Sequence, residues 1–183
     1  MRINDGILDA ARQLASPNCD SRPDDDISLL VIHNISLPPG EFGGPWIDAL
    51  FTNSLDPAAH DYFREIHALR VSSHVLIRRD GELVQYVPFQ QRAWHAGESS
   101  FDGRSCCNDF SIGIELEGAD DTPYTNEQYR RLAEVIQCLQ QQYPLLGRER
   151  ITGHSNIAPG RKTDPGEAFD WERLWAMLDK TTA

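Results

Sequence analysis

Two histidines and an aspartate suggest a metal-binding set in this chain of 183 residues: His33, His154 and Asp164. Each histidine follows a strand-like apolar segment and opens a loop rich in proline and glycine. Open sheets place ligand sites at strand ends and in the loops beyond them. Asp164 lies in the same loop as His154, and two histidines with one carboxylate form a common catalytic zinc set that leaves a fourth position for water. The helix-borne HExxH pattern of many zinc peptidases is absent. A metal-dependent hydrolase also needs a proton-handling group and a cation near the developing oxyanion. Glu115 and Glu117 share the polar face of one strand and are candidates for the first role, although a charge at a solvated edge is the simpler account of either. Lys162, two residues before Asp164, would stand beside the metal if Asp164 binds it; most single lysines are surface residues.

The remaining histidines read differently. His60 and His67 fall in an expected helix over 57–69, where seven residues correspond to about 10.5 Å of rise. That is too far for both to reach one zinc through bonds of about 2.1 Å, so they are expected on the helix surface. His74 has apolar strand neighbours and reads as a hydrogen-bonded structural residue. His95, in Trp94-His95-Ala96-Gly97, either lines a site or caps its loop. Of the four cysteines, Cys19, Cys106, Cys107 and Cys138, none forms a C-x-x-C pair, and free thiols are expected.

These side chains need elements to hold them. The run Ser28 to Ile35 (SLLVIHNI) predicts a buried strand ending near His33, followed by a Pro/Gly loop over 36–45. A short helix is expected over 46–51. Asp56-Pro57 marks the start of the next helix. Val71–Ile77 and Glu82–Val87 predict strands around the turn Arg79-Asp80-Gly81. Phe110–Glu117 (FSIGIELE) alternates, with Ile112, Ile114 and Leu116 on one face and Gly113, Glu115 and Glu117 on the other. Thr125 with Gln128 predicts a capping box, and the apolar spacing from Tyr129 to Tyr143 predicts the helix that follows. A last short strand is expected over 151–153, then a loop over 153–166 and a helix over 171–178. Strands and helices mingle, which predicts an α/β fold with a central mixed sheet flanked by helices.

Composition sets limits. The length suits one domain over 1–183, and 40% apolar residues supply one sizeable core. A net charge of −11, from 17 basic and 28 acidic residues, disfavours nucleic-acid or anionic-membrane binding. No stretch approaches the roughly 20 apolar residues of a membrane span. The first residues, with Asp5 and Asp9, lack the basic start and apolar run of a signal peptide, so a cytoplasmic protein is expected.

Longer blocks carry a family resemblance. VIHNISLPPGEFGGPWIDALF, LRVSSHVLIRRDGELVQYVPF, RAWHAG, CNDFSIGIELEG and GHSNIAPGRKTDPG resemble, in order and over nearly the whole chain, the zinc amidase family that includes anhydro-muramyl-peptide amidases, phage-lysozyme-type amidases and peptidoglycan recognition proteins. The resemblance implies the family's mixed sheet and a Zn2+ held by His33, His154 and Asp164. It implies Glu115, rather than Glu117, as the catalytic glutamate and Lys162 as the catalytic lysine. It implies Asn34, Arg70 and Arg161 where relatives contact sugar or peptide carboxylates, and Trp94 beside the cleft. The implied substrate is an anhydro-muramyl peptide, cut at the lactyl–alanine amide by a monomer engaged in peptidoglycan recycling, with an indirect effect on β-lactamase induction. The family pattern carries a second basic residue just before Cys-Asn-Asp, where this chain has Cys106, so a peptide-carboxylate contact would be made differently. Family members that only sense peptidoglycan fragments lose a ligand or a catalytic residue, whereas all five are present here.

Overall fold

The computed structural model describes residues 1–180. In chain order its strands are β1 (Ile3–Asn4), β2 (Ile7–Leu8), β3 (Arg12–Gln13), β4 (Cys19–Ser21), β5 (Leu29–Ile35), β6 (Val75–Ile77), β7 (Leu83–Gln85), β8 (Gln91–Ala93), β9 (Ser100–Phe101), β10 (Arg104–Ser105), β11 (Ser111–Glu117) and β12 (Ile151–Gly153). The helices are α1 (Trp46–Phe51), α2 (Asp61–Ile66), α3 (Asn126–Gln142), α4 (His154–Ile157) and α5 (Trp171–Lys180).

Strands buried on both faces need little polar alternation, and LLVIHNI of β5 obeys this: its first five residues are all buried. It lies inside a six-stranded sheet of order β12-β5-β11-β6-β7-β3. The run β12, β5, β11 and β6 is parallel, β7 turns back antiparallel to β6, and β3 runs parallel to β7. The expected mixed α/β sheet is therefore present. One face, with Leu30, Ile32, Ile112, Ile114 and Leu116, packs against Leu132, Val135, Ile136 and Leu139 of α3 and Leu174 of α5. Each such side chain contributes about 1.5–3 kcal/mol on burial. α3 starts as expected: Thr125 Oγ1 accepts from Gln128 N at 3.1 Å, and Gln128 Oε1 accepts from Thr125 N at 3.1 Å. The opposite face carries His33 and Glu115.

Burial of β11 corrects one expectation. All seven of its residues are buried, and Glu115 and Glu117 are 8% and 1% exposed. Neither is a solvated edge charge, because β11 is central and the loops from β5 and β8 cover its polar face. Glu117 accepts from Gly43 N at 2.7 Å, Arg79 N at 3.1 Å and Arg78 Nη1 at 3.4 Å. It thereby ties the sheet to the 36–45 loop and to the β6–β7 turn, where Gly81 takes φ 88°. Glu117→Ala would leave two backbone N–H groups without an acceptor, at a cost of about 3 kcal/mol or more. Chemical denaturation would read this as a fall in midpoint.

The helix expected over 57–69 shortens to Asp61–Ile66. Asp56 Oδ1 accepts from Ala58 N at 2.8 Å and forms a turn, and His60 is extended and caps α2 through Nδ1 with Tyr62 N at 3.1 Å. His60 and His67 are both exposed. The loop expected over 153–166 opens with the single turn α4, and the short strands β1 to β4 carry no sequence signal strong enough to predict them. All four cysteines are free. Among the described residues no helix is long and apolar enough to cross a membrane.

His74 is the structural residue expected. Its Nδ1 accepts from Gly113 N at 3.0 Å, so the proton sits on Nε2, 3.1 Å from Gln91 O. Burial, then the nearby Arg22 charge, push its pKa down to about 3 from 6.5. The unfolded chain therefore takes up this proton near pH 6.5, and the folded chain only near 3. This contribution is complete above pH 6.5 and is lost as pH falls towards 3, at up to about 1.4 kcal/mol per pH unit. Urea midpoints of the metal-stripped protein should fall less steeply across that window in His74→Gln than in the parent.

Candidate metal centre and active site

Strand register builds the site. β5 and β11 are parallel neighbours, and Glu115 is directly opposite His33. β12 flanks β5 on its other side with Gly153 opposite Ile32, so His154 emerges beside His33 as the strand gives way to α4. The segment after α4 returns, with Asp164 O accepting from Ser155 N at 2.9 Å. Residues from three separate segments of the chain thus converge at the carboxyl ends of parallel strands, where such sheets bind ligands.

His33 Nδ1, His154 Nδ1 and Asp164 Oδ2 form a triangle with every edge 3.0 Å. His33 and His154 are 1% and 3% exposed. The outer nitrogens decide what the triangle can hold. Ala96 O, 3.0 Å from His154 Nε2, can only accept, so His154 turns an Nδ1 lone pair inward. His33 Nε2 lies 2.9 Å from His95 Nδ1, and His95 Nε2 lies 3.1 Å from Ser111 Oγ. With that chain oriented outward, two imidazole lone pairs and a carboxylate oxygen face one another at close range. Three such acceptors repel unless a cation stands between them, and His/His/Asp is a donor set suited to zinc. Burial, opposed by Asp164, lowers the His33 pKa to about 4, which keeps the ring neutral as a ligand must be.

Glu115 is the other singular group. Its Oε2 is buried without a hydrogen-bond partner. Burial, reinforced by the charge of Asp164 and opposed by Lys162, raises its pKa well above the ordinary value. An unpartnered carboxylate with a raised pKa beside a cation site is suited to taking and returning a proton. Glu117, two residues on, has its oxygens committed to the loop contacts above.

A cleft of about 360 Å³ opens over these groups, lined by His33, Asn34, Trp94, His95, Glu115, His154, Lys162 and Asp164. Its far wall is apolar: Leu37, Leu50, Phe51, Tyr62, Ile66, Leu69 and Val71. Asn34 Nδ2 donates to Asp120 Oδ1 at 2.8 Å. Lys162 is exposed at the rim. Arg161 lies on the cleft's outer side, where Nη2 donates to Ala96 O at 2.7 Å and Glu98 O at 2.5 Å. Arg70 is exposed, near its own backbone at His67 O and Leu69 O, and is not part of the lining. His95 lines the site, which settles the choice left open by the sequence. The apolar wall was not foreseen; its signal was the density of Leu, Ile, Phe and Tyr between Leu37 and Val71.

The sequence matches the family described as N-acetylmuramoyl-L-alanine amidase over residues 23–167. The 1,6-anhydro-N-acetylmuramyl-L-alanine amidase AmpD of Citrobacter freundii is 63% identical over 179 residues, covering 97% of this chain and 95% of the relative. The enzyme of the same description from Escherichia coli (strain K12) is 61% identical over 183 residues, all of both chains. A crystal structure of a selenomethionine AmpD derivative superposes with a TM-score of 0.95 at 62% identity, covering 97% of this chain and 99% of that one.

Proposed function

The chain belongs to the N-acetylmuramoyl-L-alanine amidase family and is an amidase, and from that premise we propose that it is a zinc-dependent hydrolase of the lactyl–alanine amide in anhydro-muramyl peptides. The observation that carries this reading is the 3.0 Å triangle of His33 Nδ1, His154 Nδ1 and Asp164 Oδ2 with the unpartnered Glu115 in register beside it.

His33, His154 and Asp164 would hold the zinc. When bound, zinc supplies a Lewis acid for the lactyl carbonyl and lowers the pKa of a water towards about 7. Glu115 takes the proton of the attacking water and returns it to the alanine amine as the amide breaks. Its raised pKa favours holding the proton between those two steps. Lys162 at the rim supplies positive charge to the carbonyl oxygen as it becomes an oxyanion, a contribution of about 3–4 kcal/mol for donors of this kind. Trp94 and Asn34 line the cleft and bind the sugar side of the substrate. Arg161, outside the cleft with part of its guanidinium committed to Ala96 O and Glu98 O, and Arg70, exposed between the lining residues Leu69 and Val71, would meet peptide carboxylates only where the peptide extends beyond the cleft. The enzyme would act as a monomer on cytoplasmic wall fragments during peptidoglycan recycling. Where such fragments signal β-lactamase induction, clearing them would lower the signal.

Substrate choice is tested by offering purified protein three compounds: anhydro-muramyl tripeptide, the same tripeptide with its amine free, and the tripeptide capped by lactate alone. Chromatography should find cleavage of the first, none of the second and slow cleavage of the third. Equal cleavage of the first and third would remove the sugar from the proposed recognition.

A further inference from the structure

Both histidine ligands rest their outer nitrogens on one dipeptide. His33 Nε2 is 2.9 Å from His95 Nδ1, and His154 Nε2 is 3.0 Å from Ala96 O. The dipeptide belongs neither to the strands that carry the ligands nor to the Asp164 loop. We propose that His95–Ala96 is an outer clamp that orients both imidazole ligands, and that Asn108 is the positioning residue that holds the clamp in place. The inference rests on the zinc reading above and extends it to residues that do not touch the metal.

Asn108 Oδ1 accepts from both clamp N–H groups, His95 N at 3.1 Å and Ala96 N at 2.8 Å. One side-chain oxygen therefore fixes two consecutive peptides, and through them both ligands. The His95 ring has its own seat. Gly113, in the middle of β11, leaves room for it: a Cβ there would lie 2.5 Å from His95 Cγ. Glycine weakens a strand interior and marks close approach, and here the approaching group is this ring. Ser111 Oγ, two residues earlier on the same face, meets His95 Nε2 at 3.1 Å. On the Ala96 side, the carbonyl that meets His154 also accepts from Arg161 Nη2 at 2.7 Å.

The physical consequence concerns orientation. An imidazole can present either nitrogen to a metal, and rotating the ring by half a turn exchanges a nitrogen for a C–H. A fixed acceptor at the outer nitrogen selects one tautomer and one ring orientation, so both lone pairs face inward before the cation arrives. Outer partners of this sort typically change metal affinity about 10–100-fold. Most metal-binding histidines have such a partner; here one segment serves two ligands, so loosening it should affect both.

The test measures zinc affinity of metal-stripped protein by competition with a chromophoric chelator, alongside the visible spectrum of the cobalt-substituted protein. Asn108→Leu and His95→Leu are expected to weaken zinc binding about 10–100-fold and to alter the cobalt bands. Asn108→Asp, which keeps an acceptor for both N–H groups, and His95→Asn, whose Oδ1 takes the place of Nδ1 as the acceptor for His33, are expected to stay near the parent. Rescue by these variants separates positioning from general damage, as do equal melting curves of the metal-stripped proteins. Leu variants that are folded and bind zinc as tightly as the parent would overturn the clamp. If the Leu variants do not fold, Ser111→Ala decides: weaker zinc binding supports the clamp, and unchanged binding overturns it. A parent protein that binds no zinc would overturn the metal reading itself, and the clamp with it.

Discussion

Asp164→Ala is expected to lose zinc and amidase activity together. Asp164 Oδ2 is 3.0 Å from each ligand nitrogen and supplies the only negative charge in the triangle. Removing it leaves two neutral imidazoles, a poor site for a dication. The loss in metal affinity should exceed the roughly 10–100-fold attached to outer partners, and activity should fall with occupancy. The folded chain should survive, since truncating this carboxylate also removes the repulsion between acceptors that no cation offsets. Zinc content after gel filtration and turnover at saturating substrate give the two readings. An active, metal-free Asp164→Ala protein would refute the ligand assignment.

Glu115→Gln should separate what Asp164→Ala joins. Glutamine fills the same space opposite His33 and leaves the metal triangle untouched, so zinc should remain bound. It cannot take a proton from water or return one to the leaving amine. General-base and general-acid contributions are each worth about 10²–10⁴-fold, and kcat should fall by at least the lower figure while KM changes little. Glu117→Gln is the informative partner. It perturbs the contacts to Gly43 N, Arg79 N and Arg78, so its effect should fall on stability rather than on the chemical step. If Glu117→Gln lost turnover and Glu115→Gln did not, the roles assigned to the two glutamates would be exchanged.

Much of the frame was legible from local pattern. The continuous apolar run of β5 and the capping box at Thr125 are short-range signals, and both elements formed where the sequence placed them. So were His33 and His154 as residues at strand ends. What the sequence left open depended on cover supplied from elsewhere in the chain. Glu115 and Glu117 alternate identically on β11, and only the tertiary contacts leave one with an unpartnered oxygen and commit the other to the 36–45 loop. His95 could not be resolved because its seat is made by Gly113 and Ser111, on a strand that follows it in the chain. The helix over 57–69 contracted because Asp56 and His60 satisfy backbone donors with their own side chains, and such local capping competes with helix extension. Arg161 shows the limit of reading charge from sequence: part of its guanidinium is used to brace Ala96 and Glu98, a role that no spacing rule predicts.

The central claim is that this amidase works through zinc held by His33, His154 and Asp164. Its most direct test is mass spectrometry of purified protein incubated with anhydro-muramyl tripeptide, first as isolated, then after a chelator, then after zinc is restored. The expected result is free tripeptide, none after chelation, and recovery with about one zinc per chain. Tripeptide release undiminished in fully metal-stripped protein would contradict the account.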